Sequence, residues 1–262
     1  MQLSYWAQVY KGVDWMSQNI YDNEHFYNGY TKLRNNKLSY NELIEMPVMK
    51  AELPTIEGKT VLDIGCGMGK FIQYMLEMNP KQVVGLDISN NMISYAKEQI
   101  NDERVAFVVS SILEYENTTK FDVIVSSLAF HYVEDYEALI QKLFGMLNCG
   151  GVLLFSTEHP LTTATKQQEH WSHVESRHNH YKLDHYFEES TRPIEWIDTE
   201  VIRYHRTIGT LMNTLIDNGF RIDRVIDTGN TEMSLKHWNE EDIMKVNHRP
   251  PFIVIKAKKS NI

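Results

Sequence analysis

Apolar positions between residues 58 and 158 alternate between two rhythms. Short runs of β-branched and aliphatic residues, at 60–63, 82–86, 104–109, 121–125 and 151–156, read as buried parallel strands. Between them, stretches at about 69–78, 89–100 and 134–147 repeat their apolar residues at helical spacing. Met92, Ile93 and Ala96 make one such face, and Ser89 just ahead of them is a candidate N-cap. This alternation predicts an α/β fold with a parallel sheet covered on both sides. The flanks behave differently. Residues 1–57 are polar and rich in Tyr and Asn, with a helix predicted from Asn41 to Leu53 in which Pro47 is the awkward member. Residues 157–207 lose the rhythm and are dense in His, Trp and Tyr. A helix over 208–218, closed by Gly219, then precedes strands near 220–227 and 251–258, expected to pair as an antiparallel edge hairpin.

The first strand runs into Asp63-Ile64-Gly65-Cys66-Gly67-Met68-Gly69, after which a helical pattern opens at Phe71. Glycines in such a strand-to-helix turn let the backbone bend sharply and approach a ligand closely. Dinucleotide fingerprints space their glycines G-x-G-x-x-G and seat a pyrophosphate on the helix N-terminus. Here the glycines alternate and a carboxylate ends the strand, which repels pyrophosphate and suits a cationic ammonium. The second strand ends in Asp87, where a carboxylate can accept from both hydroxyls of a ribose. One acid for an amino-acid ammonium and one for a ribose describe S-adenosylmethionine (SAM), and the same spacing argues against a nicotinamide cofactor.

The glycine motif, Val84-Gly85-Leu86-Asp87-Ile88-Ser89, Phe121-Asp122-Val123-Ile124-Val125, and the Gly150-Gly151 turn before Val152-Leu153-Leu154-Phe155 occur in a fixed order. In this set, over about residues 58–158, the chain resembles the class I SAM-dependent methyltransferases. The resemblance implies a seven-stranded, Rossmann-like, doubly wound α/β sheet within a single domain over 1–262. Residues 1–57 would be an N-terminal helical lid, 58–158 the SAM-binding core, 159–207 an inserted substrate cap, and 208–262 the late helix and edge hairpin. It places Asp63, Gly65, Cys66 and Gly67 along the methionine part of SAM and Asp87 on the ribose. Ile88 and Met92 would flank the adenine, Ser111 and Ile112 would meet its amino edge, and Leu128 would lie near the sulfonium. Ser111 stands where an acid is usual. Tyr27, Tyr30 and Arg34 would be the working residues of the lid, with Tyr30 toward the substrate. His131 has the family's usual histidine placement, a supporting role more often than a catalytic one. His159-Pro160 and Tyr204-His205-Arg206-Thr207 resemble a bacterial subgroup acting on small molecules.

Methyl transfer from SAM needs alignment of nucleophile, methyl carbon and sulfur, with a base only where the nucleophile must first lose a proton. His159 and His205 are the candidate bases in the irregular stretch, and Tyr186, Arg192 and Arg206 the candidate substrate contacts. The expected reaction is methylation of O or N on a small molecule, with S-adenosylhomocysteine as product; the alternative is a SAM-binding regulatory or partner protein without catalysis. His170, His173, His178, His180 and His185 match no standard zinc spacing, so no metal is expected. With a formal charge of −9 and no basic cluster beyond Lys256-Ala257-Lys258-Lys259, nucleic acid is disfavoured. Hydrophobic content of 42% comes without an apolar run of ~18 residues, so no membrane span is expected. Cys66 and Cys149 are the only cysteines, which fits a reducing cytoplasm. The expected state is a monomer or homodimer.

Overall fold

The computed structural model describes residues 19–34, 36–166, 171–174 and 178–260. Five parallel strands come first: β1 (Thr60–Ile64), β2 (Gln82–Asp87), β3 (Val105–Val109), β4 (Phe121–Ser126) and β5 (Leu147–Glu158). Two antiparallel hairpins follow, β6 (Trp171–Val174) with β7 (His178–Tyr181) and β8 (Thr191–Trp196) with β9 (Thr199–Tyr204). β10 (Phe220–Asp227) and β11 (Phe252–Lys259) then rejoin the main sheet, whose order is β3-β2-β1-β4-β5-β11-β10. β11 runs antiparallel to both its neighbours and the other pairs are parallel. The fold is the seven-stranded Rossmann-like α/β sheet expected from the alternation, with strand order reversing between β1 and β4.

Helices cover both faces: α1 (Glu24–Arg34), α2 (Met46–Glu52), α3 (Lys70–Leu76), α4 (Asn90–Gln99), α5 (Tyr136–Met146), α6 (Pro160–Thr163), α7 (Ile208–Asp217), α8 (Glu232–His237) and α9 (Glu240–His248). Side chains alternate across the sheet, so Leu62 and Ile124 enter a core with α5 and α7, while Val61 and Val123 enter another with α2 and α3. Ser89 caps α4, its hydroxyl accepting from Met92 N–H at 3.1 Å, and Gly219 ends α7 with φ +85°.

Three details depart from the sequence pattern. Gly150-Gly151 lies inside β5 as an irregularity, since Phe121 pairs with Leu147 but Val123 with Val152. β10 and β11 do pair antiparallel, yet β11 sits between β5 and β10, and α8 and α9 occupy the connection. Only Val246 of α9 is buried, too thin a stripe to read as a period, although Asn239 caps it and three acids fill its first turn. The expected helix from Asn41 begins as one π-helical turn, Asn41–Glu45, which runs into α2. Pro47 falls where the π-helical turn passes into α2; its missing N–H leaves the Leu43 carbonyl without that donor, and Thr231 Oγ1 donates to it at 2.7 Å.

The segment before β1 folds across the carboxyl ends of the strands. A short 3₁₀ turn, Ile20–Asp22, brings Asp22 to the start of α4. There its carboxylate accepts from Ser89 Oγ at 2.6 Å and from Asn91 N at 3.0 Å. Burial pushes the Asp22 carboxyl up, but the hydrogen bonds from Ser89, Asn91 and their neighbours outweigh it and hold the pKa at about 2. On α1, Phe26 is fully buried and meets Trp196 of β8 edge-on at 5.4 Å. A Cβ on Gly29 would collide with Ile197 Cγ2, so the glycine lets the β8–β9 turn close onto α1.

Candidate active site

A cavity of about 700 Å³ opens over the carboxyl ends of β1, β2 and β4, at the point where strand order reverses. Its floor is the glycine turn. Gly65 has φ +69°, and a Cβ there would meet Ala129 Cβ at 2.6 Å, so only glycine fits between β1 and the loop after β4. Asp63, one residue before the end of β1, faces this floor at 2% exposure, and its Oδ2 has no hydrogen-bond partner among the described residues. Burial, then repulsion from Asp87 and Glu45, raises its pKa to about 8. A buried carboxylate oxygen left without a donor is costly, and a cationic donor arriving from the cavity would satisfy it.

Asp87 ends β2 twenty residues after Gly67. Its Oδ2 accepts from Gly67 N–H and its Oδ1 from Ser89 N–H, both at 2.9 Å. Those bonds fix the carboxylate at the rim while each oxygen keeps a further lone pair for a ligand. Burial raises the Asp87 pKa, with the backbone donors of Ser89 and Gly67 acting against it. Ile88, Met92, Ser111 and Ile112 line the adjoining wall, and Leu128 lines the opposite side. Leu128 is held in the left-handed region at φ +53°, its N–H donating to Ser156 Oγ at 3.0 Å. The Ser111 hydroxyl accepts from Leu113 N–H at 3.3 Å, which ties it into its own turn.

From α1, in the segment before β1, Tyr30 and Arg34 reach the cavity, as does Cys66 from the floor. Tyr27 does not. It is one residue off the stripe Phe26, Tyr30, Leu33 and Arg34, and it sits beside Tyr95 and Glu98 of α4. The position expected for Tyr27 is taken by Tyr21, whose ring meets Tyr30 edge-on at 4.9 Å. Beyond Leu128 the cavity continues into a chamber walled by His131, Tyr132, Glu158, Ile194 and Trp196. His131 is 4% exposed, with Nδ1 3.3 Å from Thr157 Oγ1; burial lowers its pKa to about 4, so the ring is neutral near pH 7. Burial pushes the Glu158 carboxyl up, but its ion pair with Arg203 and the nearby His131 hold it below the ordinary range.

The polar residues expected in the irregular stretch lie outside this cavity. His159 caps α6 by accepting from Leu161 N–H at Nδ1, 3.1 Å, and meets Asp227 Oδ1 through Nε2 at 3.0 Å. His205 contacts Thr163 Oγ1 at 2.7 Å and the Tyr186 carbonyl at 2.8 Å, so both its ring nitrogens are also engaged. Arg192, 1% exposed, donates to the carbonyls of Ala164, Thr191, His185 and Glu188. Arg206 donates to the carbonyls of Val133 and Glu134, and the Tyr186 hydroxyl accepts from Ile208 N–H at 3.0 Å. All five engage the chain's own backbone: Arg192, Arg206 and His205 meet carbonyls, and His159 and Tyr186 meet N–H groups, which buried backbone requires. Of the expected histidine group, His170 and the side chains of His173 and His178 lie outside the described residues.

Comparison with known proteins agrees with this geometry. A family model described as a methyltransferase domain matches residues 56–219. The chain belongs to this family. An uncharacterized protein of Haemophilus influenzae is 35% identical over 92% of this chain and 96% of its own. The crystal structure of a SAM-dependent methyltransferase from Mesorhizobium loti superposes with TM-score 0.76 at 31% identity, covering 82% of this chain and 97% of that one. A malonyl-[acyl-carrier protein] O-methyltransferase of Acetivibrio thermocellus is 30% identical over 62% of this chain, a match that spans about half of that relative (54%). The protein is a class I SAM-dependent methyltransferase, an enzyme rather than a regulatory SAM binder. The orphaned Asp63 oxygen, the cramped Gly65 turn and the Asp87 rim fit its cofactor. No helix among the described residues is long and apolar enough to cross a membrane.

Proposed function

We propose that this methyltransferase transfers the methyl group of SAM to an O or N atom of a small molecule held beneath the lid. The supporting observation is the continuity of one cavity, from the unpartnered Asp63 oxygen, past Leu128, to the chamber of His131, Tyr132, Glu158 and Trp196. SAM supplies an electrophilic methyl on a sulfonium that leaves readily. Asp63 accepts from its ammonium, Asp87 takes the ribose hydroxyls, and Ile88, Met92 and Ile112 clasp the adenine. Arg34, with Tyr30 against it, pairs with the amino-acid carboxylate.

The chamber residues then have to orient the acceptor in line with the methyl and keep water out. His131, with a pKa lowered to about 4 by burial, is a weak base, and the ion pair with Arg203 lowers the basicity of the Glu158 carboxylate. Such a wall orients a nucleophile more than it deprotonates one, which favours a neutral amine over a hydroxyl. A malonyl thioester acceptor is less well supported. Arg192 and Arg206, the arginines expected to contact the substrate, are committed to backbone carbonyls outside the cavity. The test is radiolabelled methyl transfer from SAM to a panel of small amines, alcohols and phenols, with malonyl-acyl carrier protein beside them. Label on a small amine or hydroxyl compound supports the proposal; label on the carrier-bound acid alone overturns it.

A further inference from the structure

We propose that Glu45, in the lid, is a positioning residue for the cofactor, the acceptor on which hydrogen bonds from Arg34 and from the Leu128 turn converge. The inference rests on the proposed contacts of Arg34 and Leu128 with SAM. Glu45 closes the π-helical turn Asn41–Glu45, is 0% exposed, and reaches from the lid to the ends of β4 and β5. Its Oε1 accepts from Ser156 Oγ at 2.5 Å and from Ser127 Oγ at 2.9 Å, the serines flanking the transfer point. Its Oε2 accepts from Asn41 Nδ2 at 2.7 Å.

The direction of each bond is dictated by chemistry. A guanidinium can only donate and a carboxylate can only accept, so Asn41 between them must turn Oδ1 to Arg34 and Nδ2 to Glu45. Ser156 Oγ accepts from Leu128 N–H, so its own proton points to Glu45. Two chains of donors, one from the lid and one from the floor, therefore end on the same carboxylate. The floor chain holds a residue in a left-handed conformation, which persists only where surrounding contacts over-determine it. The lid chain holds Arg34, which faces the cavity beside Tyr30. A π-helical turn is uncommon, and here it places Asn41 and Glu45 on one side, four residues apart.

The experiment is calorimetric titration of SAM into wild type, Glu45→Gln, and the double variant Asn41→Asp with Glu45→Gln. In the single variant the carboxamide oxygen takes the serines and its NH₂ faces Asn41. The Asn41 amide must then flip and present N–H to Arg34, donor against donor. SAM affinity should fall about 10-fold or more. In the double variant the charge moves to position 41, which accepts from Arg34 and from the new carboxamide, so affinity should return to within about threefold of wild type. A role in packing alone would not be rescued by moving the charge. Wild-type affinity in the single variant, or no rescue in the double, overturns the relay. If Glu45→Gln does not fold, Asn41→Leu cuts the lid chain alone and should weaken SAM binding, and unchanged affinity overturns the relay equally. A wild type that fails to bind SAM overturns the cofactor contacts on which the relay depends.

Discussion

The strand-end residues of the core and the polar residues of the stretch after β5 were equally conspicuous in the sequence and have opposite fates. Asp63 and Asp87 stand at the tips of adjacent parallel strands, where register aims both at one cavity. His159 caps a short helix, Arg192 lies in β8, and His205 and Arg206 follow β9; each serves backbone or side-chain groups of nearby loops, Arg206 those ahead of α5. The difference lies in who satisfies the backbone. A central strand pairs its own peptide groups, so among the described residues Asp63 keeps an oxygen without a partner, and Asp87, though it accepts from Gly67 and Ser89 N–H, keeps a lone pair on each oxygen for a ligand. Packed loops and hairpin edges recruit the nearest arginine or histidine to cover their carbonyls.

The contrast is broken or sharpened by removing one residue of each kind. Asp63→Ala should lower SAM affinity about 100-fold or more by titration calorimetry, since a charge-assisted hydrogen bond in a buried site is lost. The folded stability of that variant should hold or rise, because a buried carboxylate without a donor has been removed. Arg192→Leu should do the reverse. Denaturant unfolding should show a loss of about 3 kcal/mol from the uncovered carbonyls, with SAM affinity of the folded fraction within about twofold of wild type. Equal damage to binding from both substitutions would dissolve the contrast.

Asp63 adds a pH signature of intermediate size. Its pKa of about 8 in the cofactor-free protein is raised above its ordinary value by burial and then by Asp87 and Glu45. The folded state therefore holds that proton more tightly than the unfolded chain, and the contribution to stability declines as pH rises from about 4 to about 8. A cofactor ammonium calls for the ionised form. SAM binding at about pH 6.5 should thus release close to one proton, seen as a binding enthalpy that varies with the buffer's heat of ionisation. Asp63→Asn should abolish the Asp63 share of that release, and an unchanged release would move the proton to another group. The smallest effect is expected from His159→Ala, about 1 kcal/mol of stability for a lost helix cap, with SAM binding untouched.

The sheet was legible because each buried strand and its following helix carry a strong period, and the glycine turn with its two acids reports cofactor chemistry through spacing alone. The segment before β1 was half legible. Tyr30 and Arg34 belong to the stripe that faces the cavity, but Phe26 rather than Tyr27 continues it, and helical spacing admits either, i, i+4, i+8 from Phe26 or i, i+3, i+7 from Tyr27. Glu45 went unnoticed because an acid in a predicted amphipathic helix reads as solvent-facing until its partners are known. The β8–β9 hairpin was illegible for a different reason. Its two-residue turn is Ile197-Asp198, both at φ +53°, where such turns usually announce themselves with Asn-Gly. The alternation Arg192, Ile194, Trp196 against exposed Thr191, Pro193 and Glu195 was the signal available, and Ile194 and Trp196 of that face reach the cavity.

The most direct test is a side-by-side titration of SAM into Asp63→Asn and His205→Ala. Asp63→Asn should bind about 30-fold more weakly than wild type or worse, while His205→Ala binds as wild type does. Full affinity in Asp63→Asn together with a loss in His205→Ala would contradict the division between a ligand-facing core and a self-supporting cap.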